Sequence, residues 1–122
     1  MREHENNDIN ALARMVYETS ASKGFHDAPR AMGDLVAILH TEVSEMYEEH
    51  RRGKSPQEVY YTRIPGGVAH PYPTGDEGLA LASEGVTMLG IPTELADGLI
   101  RALDTSIELS LDPAYLIRLK NA

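Results

Sequence analysis

The sequence contains no cysteine, which excludes both a disulfide framework and a zinc site built on thiolates. It also lacks tryptophan and has a single phenylalanine, so aliphatic side chains must fill most of the core. No apolar run approaches the length of a membrane-spanning helix, and residues 1–7 lack the apolar centre of a signal peptide. We therefore expect a cytoplasmic protein that does not contact a membrane.

Size and charge narrow the class of protein further. The 122 residues suit one domain, residues 1–122. A formal net charge of −8 repels the phosphate backbone of nucleic acids, which argues against a nonspecific DNA- or RNA-binding protein. A small phosphorylated substrate is still compatible with this charge, because a divalent cation reverses the local field. A chain with few amphipathic helices buries its apolar residues poorly on its own, so we expect an oligomer.

Apolar residues recur at helical spacing in four stretches, which predicts four helices. The second helix has the clearest pattern, from about residue 30 to 52, with its apolar residues on one stripe. That stripe consists of Met32, Leu35, Val36, Leu39, Val43, Met46, Tyr47 and His50. The signals for helix ends are Asn7 or Asp8 and Gly24 for the first helix, Gly53 for the end of the second, Pro92 for the start of the third, and Asp112 with Pro113 for the fourth.

The connection between the second and third helices is rich in proline and glycine. Residues 53–80 hold four of the seven prolines and five of the ten glycines, a density that predicts neither a long helix nor a central strand. Residues 59–62 are compatible with a brief extended piece, and residues 77–90 with a weak helical turn or two. The predicted fold class is therefore all-α, with a long connection over residues 53–90.

Carboxylates stand at regular spacing on the second helix. Glu42, Glu45 and Glu49 lie three and four residues apart, on one side of the helix beside the apolar stripe. Carboxylates beside a buried apolar stripe repel each other and are partly removed from water, so they favour a bound cation. The third helix carries a similar pair, Glu94 and Asp97. The alternative, in which both sets lie on solvated helix faces, stays open at this point.

The donor atoms indicate which metal such a site selects. Oxygen-only ligands favour magnesium, manganese or calcium over softer metals. A di-iron helical bundle needs Glu-x-x-His on two helices, and none of the five histidines has a glutamate three positions before it. A hard divalent cation is therefore the better expectation.

Two runs of sequence resemble the signatures of a known family. Residues 39–51, LHTEVSEMYEEHR, are similar to the first signature of the MazG-like all-α nucleoside triphosphate pyrophosphohydrolases, a Glu-x-x-Glu on a long helix. Residues 90–104, GIPTELADGLIRALD, resemble the second signature, a Glu-x-x-Asp within Glu-Leu-Ala-Asp. The resemblance covers residues 24–121, and the two signatures together are more specific than either alone.

The resemblance implies a fold, a cofactor and an activity. The fold is a MazG-like bundle of about four helices, completed by dimerisation as a homodimer or a dimer of dimers. The activity is hydrolysis of (deoxy)nucleoside triphosphates to a monophosphate and pyrophosphate, as in enzymes that clean nucleotide pools. The implied ligands of magnesium, or of manganese in its place, are Glu42, Glu45, Glu94 and Asp97.

Other residues are expected to assist that reaction. Glu45 or Glu49 would accept the proton of the attacking water. Arg101, on the third helix, is a candidate phosphate contact, or alternatively the ion-pair partner of a neighbouring aspartate. Lys120 and Asn121 match family positions that contact phosphate.

Several features have a second explanation. Arg51, Arg52 and Lys54 suit the negative end of the second helix dipole without any ligand. Tyr60 and Tyr61 either stack on a base or anchor the loop that holds them. An alternative function is a non-catalytic helical partner that keeps the fold and binds a nucleotide or another protein. The long connection and the short basic C-terminal stretch motivate that alternative.

Overall fold

The computed structural model describes residues 3–62, 68–71 and 87–122, and most of these are helical. Four helices run along the described chain: α1 (Glu3–Ser22), α2 (Met32–Arg51), α3 (Ile91–Glu108) and α4 (Pro113–Asn121). The expectation of a mainly helical chain is therefore confirmed. None of these helices combines the length and the apolar character that a membrane span requires.

The helix ends follow the local signals in the sequence. Gly24 and Gly53 each adopt a positive φ, of 86° and 82°, which glycine reaches without a steric penalty and which stops α1 and α2. Asp112 caps α4, since its carboxylate accepts a backbone N–H of the first turn and a proline follows it. The start of α1 differs from expectation, because the helix begins at Glu3, several residues before the predicted caps.

A small antiparallel sheet interrupts the helical architecture, and the all-α expectation omits it. It contains β1 (Glu58–Thr62), β2 (Val68–Pro71) and β3 (Thr87–Leu89), in the order β2-β1-β3. Tyr60 pairs with Ala69 of β2 and with Leu89 of β3. The prediction that no central strand forms in this segment was wrong, because the prolines lie outside β1. Pro71 ends an edge strand, where a missing N–H is tolerated.

The chain divides into two compact units. One joins Met1–Leu39 with Leu99–Ala122, and the other is His40–Gly98. In the first unit, two hydrogen bonds connect α1 to α4. The Asn10 amide donates to Asp112 Oδ1 at 2.8 Å, and the Ala114 N–H donates to Asn10 Oδ1 at 3.0 Å. One side chain of α1 thus fixes the first turn of α4.

In the second unit, β1 supplies two of the most buried apolar side chains described. Val59 and Tyr61 are 1% and 4% exposed and share one face of the strand, since side chains alternate along it. Tyr60 therefore lies on the other face. Gly90 follows β3 with a φ of +118°, and a side chain there would collide with the Glu58 carbonyl oxygen. The backbone thus passes close to β1 just before α3 begins.

The packed side of α2 differs from the predicted one. Leu35, at one edge of the predicted stripe, and Glu49, outside it, are each only 5% exposed, whereas Val43 and Tyr47 further across the stripe are 53% and 62% exposed. The buried face is turned by roughly a quarter of a circle toward the carboxylates. The predicted apolar stripe is consequently only partly covered within the chain.

Candidate metal centre

Acidic side chains from two helices converge in the second unit. Glu42 and Glu45 on α2 and Glu94 in the first turn of α3 each offer one carboxylate oxygen, and these three oxygens lie within 4.8 Å of one another. The three-residue spacing stacks the first two on one face of their helix. Three of the four predicted ligands are thus brought together.

Glu94 is the most confined member of this group. It is 8% exposed, and its Oε2 atom is buried with no hydrogen-bond partner among the described residues. Burial, a hydrogen bond with Glu45 and the negative charges of the neighbouring carboxylates raise the pKa of the Glu94 carboxyl to about 8. A buried carboxylate oxygen without a partner costs free energy, and a bound cation would remove that cost.

Asp97, the fourth predicted ligand, lies about one helical turn after Glu94 and is half-buried. It does not belong to the group of three oxygens, yet its charge helps to raise the pKa of Glu94. The group itself fits a hard divalent cation, because its donors are all carboxylates and one of them has an unused buried oxygen.

A cavity of about 300 Å³ opens beside these carboxylates. Its lining residues are Glu45, Glu48, Glu49, Arg52, Leu89 and Glu94. The cavity therefore joins two members of the acidic group to Glu49, a predicted proton acceptor. Arg52 brings a positive charge to the same space.

Glu49 is held by two neighbours. The Tyr60 hydroxyl donates to both carboxylate oxygens, at 2.7 Å to Oε2 and 3.0 Å to Oε1. The Arg52 guanidinium lies 3.3 Å from Oε1. At 5% exposure, Glu49 depends on these partners, because a buried charge without partners is costly.

These contacts are the main basis for assigning a function. No family model, curated protein or solved structure matches this chain. The resemblance to the MazG-like signatures therefore rests on residues 39–51 and 90–104 themselves. Any assignment of function depends on the geometry around these residues.

The three predicted phosphate contacts lie in the first unit. The Arg101 guanidinium is 3.7 Å from Asp104 Oδ2 and lies over the Phe25 ring, 4.6 Å from the ring centroid. The alternative of an ion pair within the helix is therefore present. Lys120 and Asn121 are exposed at the end of α4, where they line a shallow cavity with two apolar neighbours. A role for these three residues in phosphate binding stays a prediction.

Two partners of Glu49 make contacts that the sequence patterns do not predict. For Tyr60 the sequence predicts base stacking or loop anchoring, whereas the hydroxyl binds Glu49. For Arg52 it predicts a favourable end of the helix dipole, whereas the guanidinium also pairs with Glu49. The three-residue spacing of Glu49 and Arg52 is visible in the sequence. The Tyr60 contact is not, because it depends on where the paired strands place β1.

Proposed function

We propose that this protein is a MazG-like nucleoside triphosphate pyrophosphohydrolase, which uses magnesium to hydrolyse its substrate to a nucleoside monophosphate and pyrophosphate. The observation that carries the proposal is the convergence of Glu42, Glu45 and Glu94 oxygens within 4.8 Å. These residues fall in the two signature-like runs, residues 39–51 and 90–104, so geometry and resemblance select the same side chains. Acidic helix surfaces are common, but a buried carboxylate oxygen without a partner is rare.

Glu42, Glu45 and Glu94 are the proposed magnesium ligands, and Asp97 is the proposed fourth. Oxygen donors of this kind suit magnesium and accept manganese in its place. When bound, the cation neutralises phosphate charge and lowers the pKa of a nearby water. Two features of the protein support this fit: Glu94 Oε2 has no hydrogen-bond partner in the described part of the chain, and the clustered carboxylates repel one another.

Glu49 is the proposed proton acceptor. It lines the same cavity as Glu45 and Glu94 without belonging to the group of three ligand oxygens, so Glu45 is assigned to the metal and Glu49 to the proton. Glu49 takes a proton from a water molecule as the water oxygen bonds to the α-phosphorus. The bond from that phosphorus to the oxygen bridging the α- and β-phosphates breaks, and pyrophosphate leaves with the electron pair.

Arg52 is a proposed phosphate contact within the second unit. Its guanidinium lines the cavity, its side chain is 61% exposed, and an arginine fork matches phosphate oxygens. In a chain with a net charge of −8, a local cation offsets the repulsion of an anionic substrate. Arg101, Lys120 and Asn121 stay predicted phosphate contacts in the first unit.

A homodimer is the proposed assembly. Large apolar side chains are exposed on α2 and α3, with Tyr47 62% and Leu99 59% exposed. Contact with water is unfavourable for such a set, by about 25 cal/mol for each Å² of apolar surface. A helical bundle completed by a second copy would cover them, and a dimer of dimers would extend the same arrangement.

The test is pyrophosphate release from a panel of ribo- and deoxyribonucleoside triphosphates with magnesium, with identification of the nucleotide product. The parent protein is expected to form pyrophosphate and monophosphate in equal amounts from at least one substrate. Glu45→Gln and Glu94→Gln are expected to lose activity by roughly a hundredfold or more, since even the outer partners of metal ligands contribute up to that factor.

Glu18→Gln is the matched control, because Glu18 is an exposed glutamate of α1 in the first unit. This variant is expected to keep the parent activity. A parent protein that releases no pyrophosphate from any triphosphate would contradict the proposal. Tight nucleotide binding without turnover would instead favour the alternative function, a non-catalytic nucleotide-binding partner.

A further inference from the structure

Tyr60 lies on the central strand of the sheet, and its hydroxyl reaches the Glu49 carboxylate on α2. The hydroxyl donates to both carboxylate oxygens, at 2.7 Å and 3.0 Å. Burial raises the pKa of Tyr60 to about 12, and the hydrogen bond to Glu49 adds to this effect. The phenol therefore stays protonated at ordinary pH and keeps its role as a donor.

Two further features fix the position of Tyr60. The Lys54 ammonium lies over its ring, 4.4 Å from the ring centroid. The neighbouring side chains of β1, Val59 and Tyr61, are almost fully buried on the opposite face, and β1 has a paired strand on each side. A donor on such a strand has little freedom to move, so it can hold a partner in one orientation.

Arg52, the second partner of Glu49, can also bind a substrate phosphate, and that contact would compete with its contact to Glu49. Its guanidinium lies 3.3 Å from Glu49 Oε1, and it also lines the cavity. A phosphate oxygen in that cavity would therefore compete with Glu49 for the guanidinium. Once Arg52 binds phosphate, the Tyr60 hydroxyl is the described contact that still orients the Glu49 carboxylate.

We propose that Tyr60 is a positioning residue that acts through Glu49 and holds its carboxylate toward the cavity during proton transfer. The inference rests on the proposed function, in which Glu49 accepts the proton of the attacking water. Tyr60 keeps its own proton and exchanges no electrons with the substrate. Its contribution is the orientation of the acceptor, which proton transfer requires within hydrogen-bond reach.

The test compares the parent with Tyr60→Phe, Glu49→Gln and the double variant in pyrophosphate release. Tyr60→Phe removes only the hydroxyl, and we expect kcat to fall about tenfold, equivalent to ~1.4 kcal/mol, with KM and the magnesium requirement nearly unchanged. Glu49→Gln is expected to lower kcat further. Because Tyr60 acts through Glu49, the double variant is expected to match Glu49→Gln alone, which is the signature of coupled residues.

Tyr115→Phe is the matched control, since Tyr115 is an exposed tyrosine of α4, and it is expected to keep the parent kcat. Melting temperatures of all variants show whether each one folds. An active parent whose Tyr60→Phe variant keeps its kcat overturns the positioning role alone. Additive losses in the double variant overturn it too, because they show that Tyr60 acts independently of Glu49. A parent that releases no pyrophosphate overturns both this role and the proposed function.

Discussion

His26 Nε2 lies 2.8 Å from Asp104 Oδ1 in the first unit. The other ring nitrogen faces the Glu108 carboxylate, one turn further along α3, and the ring stacks on Tyr17 of α1 at 4.1 Å between centroids. Asp104 is only 1% exposed. The His26 ring therefore lies between two carboxylates of α3 and an aromatic ring of α1. This residue connects the segment after α1 to α3.

Replacing His26 is expected to destabilise the fold strongly. His26→Ala leaves the buried Asp104 carboxylate without its hydrogen-bond partner at 2.8 Å, and a buried polar group that loses its partner costs about 1 to 3 kcal/mol. The measurement is the free energy of unfolding from urea titration. His40→Ala, at an exposed histidine of α2, is the control and is expected to match the parent. Equal unfolding free energies for His26→Ala and the parent would rule out a stabilising role.

The raised pKa of Glu94 predicts a pH dependence of stability in the metal-free protein. Burial, its hydrogen bond with Glu45 and the neighbouring negative charges bring this pKa from 4.5 to about 8. Between these values the folded chain binds the proton more tightly than the unfolded chain, so the free energy of unfolding falls as pH rises. We expect Tm in the presence of EDTA to fall by about 5 °C or more across this interval.

Glu94→Gln tests the origin of that dependence. The amide does not ionise, so the variant is expected to show a clearly flatter profile of Tm against pH. Glu18→Gln is the control and is expected to keep the parent slope. Magnesium added to the parent is expected to raise Tm most at the alkaline end, where the carboxylates are charged. A Glu94→Gln profile as steep as that of the parent would assign the pH dependence to other groups.

Gly90 controls how α3 begins, and Gly90→Ala is expected to lower both stability and activity. The residue has a φ of +118°, and an added side chain would meet the Glu58 carbonyl oxygen. Strain of this kind costs about 1 to 3 kcal/mol, and relief of it would move Glu94 relative to α2. Thermal unfolding and pyrophosphate release measure the two effects. Gly33→Ala, in open space on α2, is the control. If Gly90→Ala kept the Tm and the activity of the parent, the turn before α3 would tolerate a side chain at this position.

Because apolar residues of α2 are exposed in the single chain, we expect a charged substitution among them to disrupt the proposed dimer. Tyr47→Glu places a carboxylate on a side chain that is 62% exposed in the single chain and that the proposed dimer would bury. Sedimentation velocity is expected to show dimers for the parent and monomers for this variant, because an unpaired charge is costly at an interface. Ser44→Glu, another exposed position of α2, is the control and should stay dimeric. A monomeric parent would contradict the proposed assembly.

The helix ends could be predicted because their signals are local. Gly24, Gly53 and the pair Asp112-Pro113 act on adjacent backbone groups, and each ends or begins a helix where expected. The sheet could be predicted only in part: the extended piece considered at residues 59–62 lies in β1, whereas no pattern indicates β2 or β3. Strands of three and four residues are too short to show alternation, and their pairing with β1 joins residues distant along the chain.

The acidic site was only partly predictable for a related reason. Spacing places Glu42 and Glu45 on one face of α2, and this depends on the helix alone. For Glu94, spacing predicts a position opposite Leu99, which suggests an exposed carboxylate. The structure has the reverse, with Glu94 8% and Leu99 59% exposed. Which face of α3 is buried depends on the elements that pack against it. The apolar pattern of one helix carries no information about those elements.

The pairing of Thr62 with Thr87 brings together two residues that are far apart in the sequence, at the end of β1 and the start of β3. Since the entropy of loop closure rises slowly with length, by about 0.6 kcal/mol per doubling, we expect residues inserted between positions 72 and 86 to cost little folding free energy as long as β2 and β3 keep their pairing with β1. Because β3 leads through Gly90 directly into α3, an insertion that preserves the strand pairing is expected to leave Glu94 in its place in the first turn of α3.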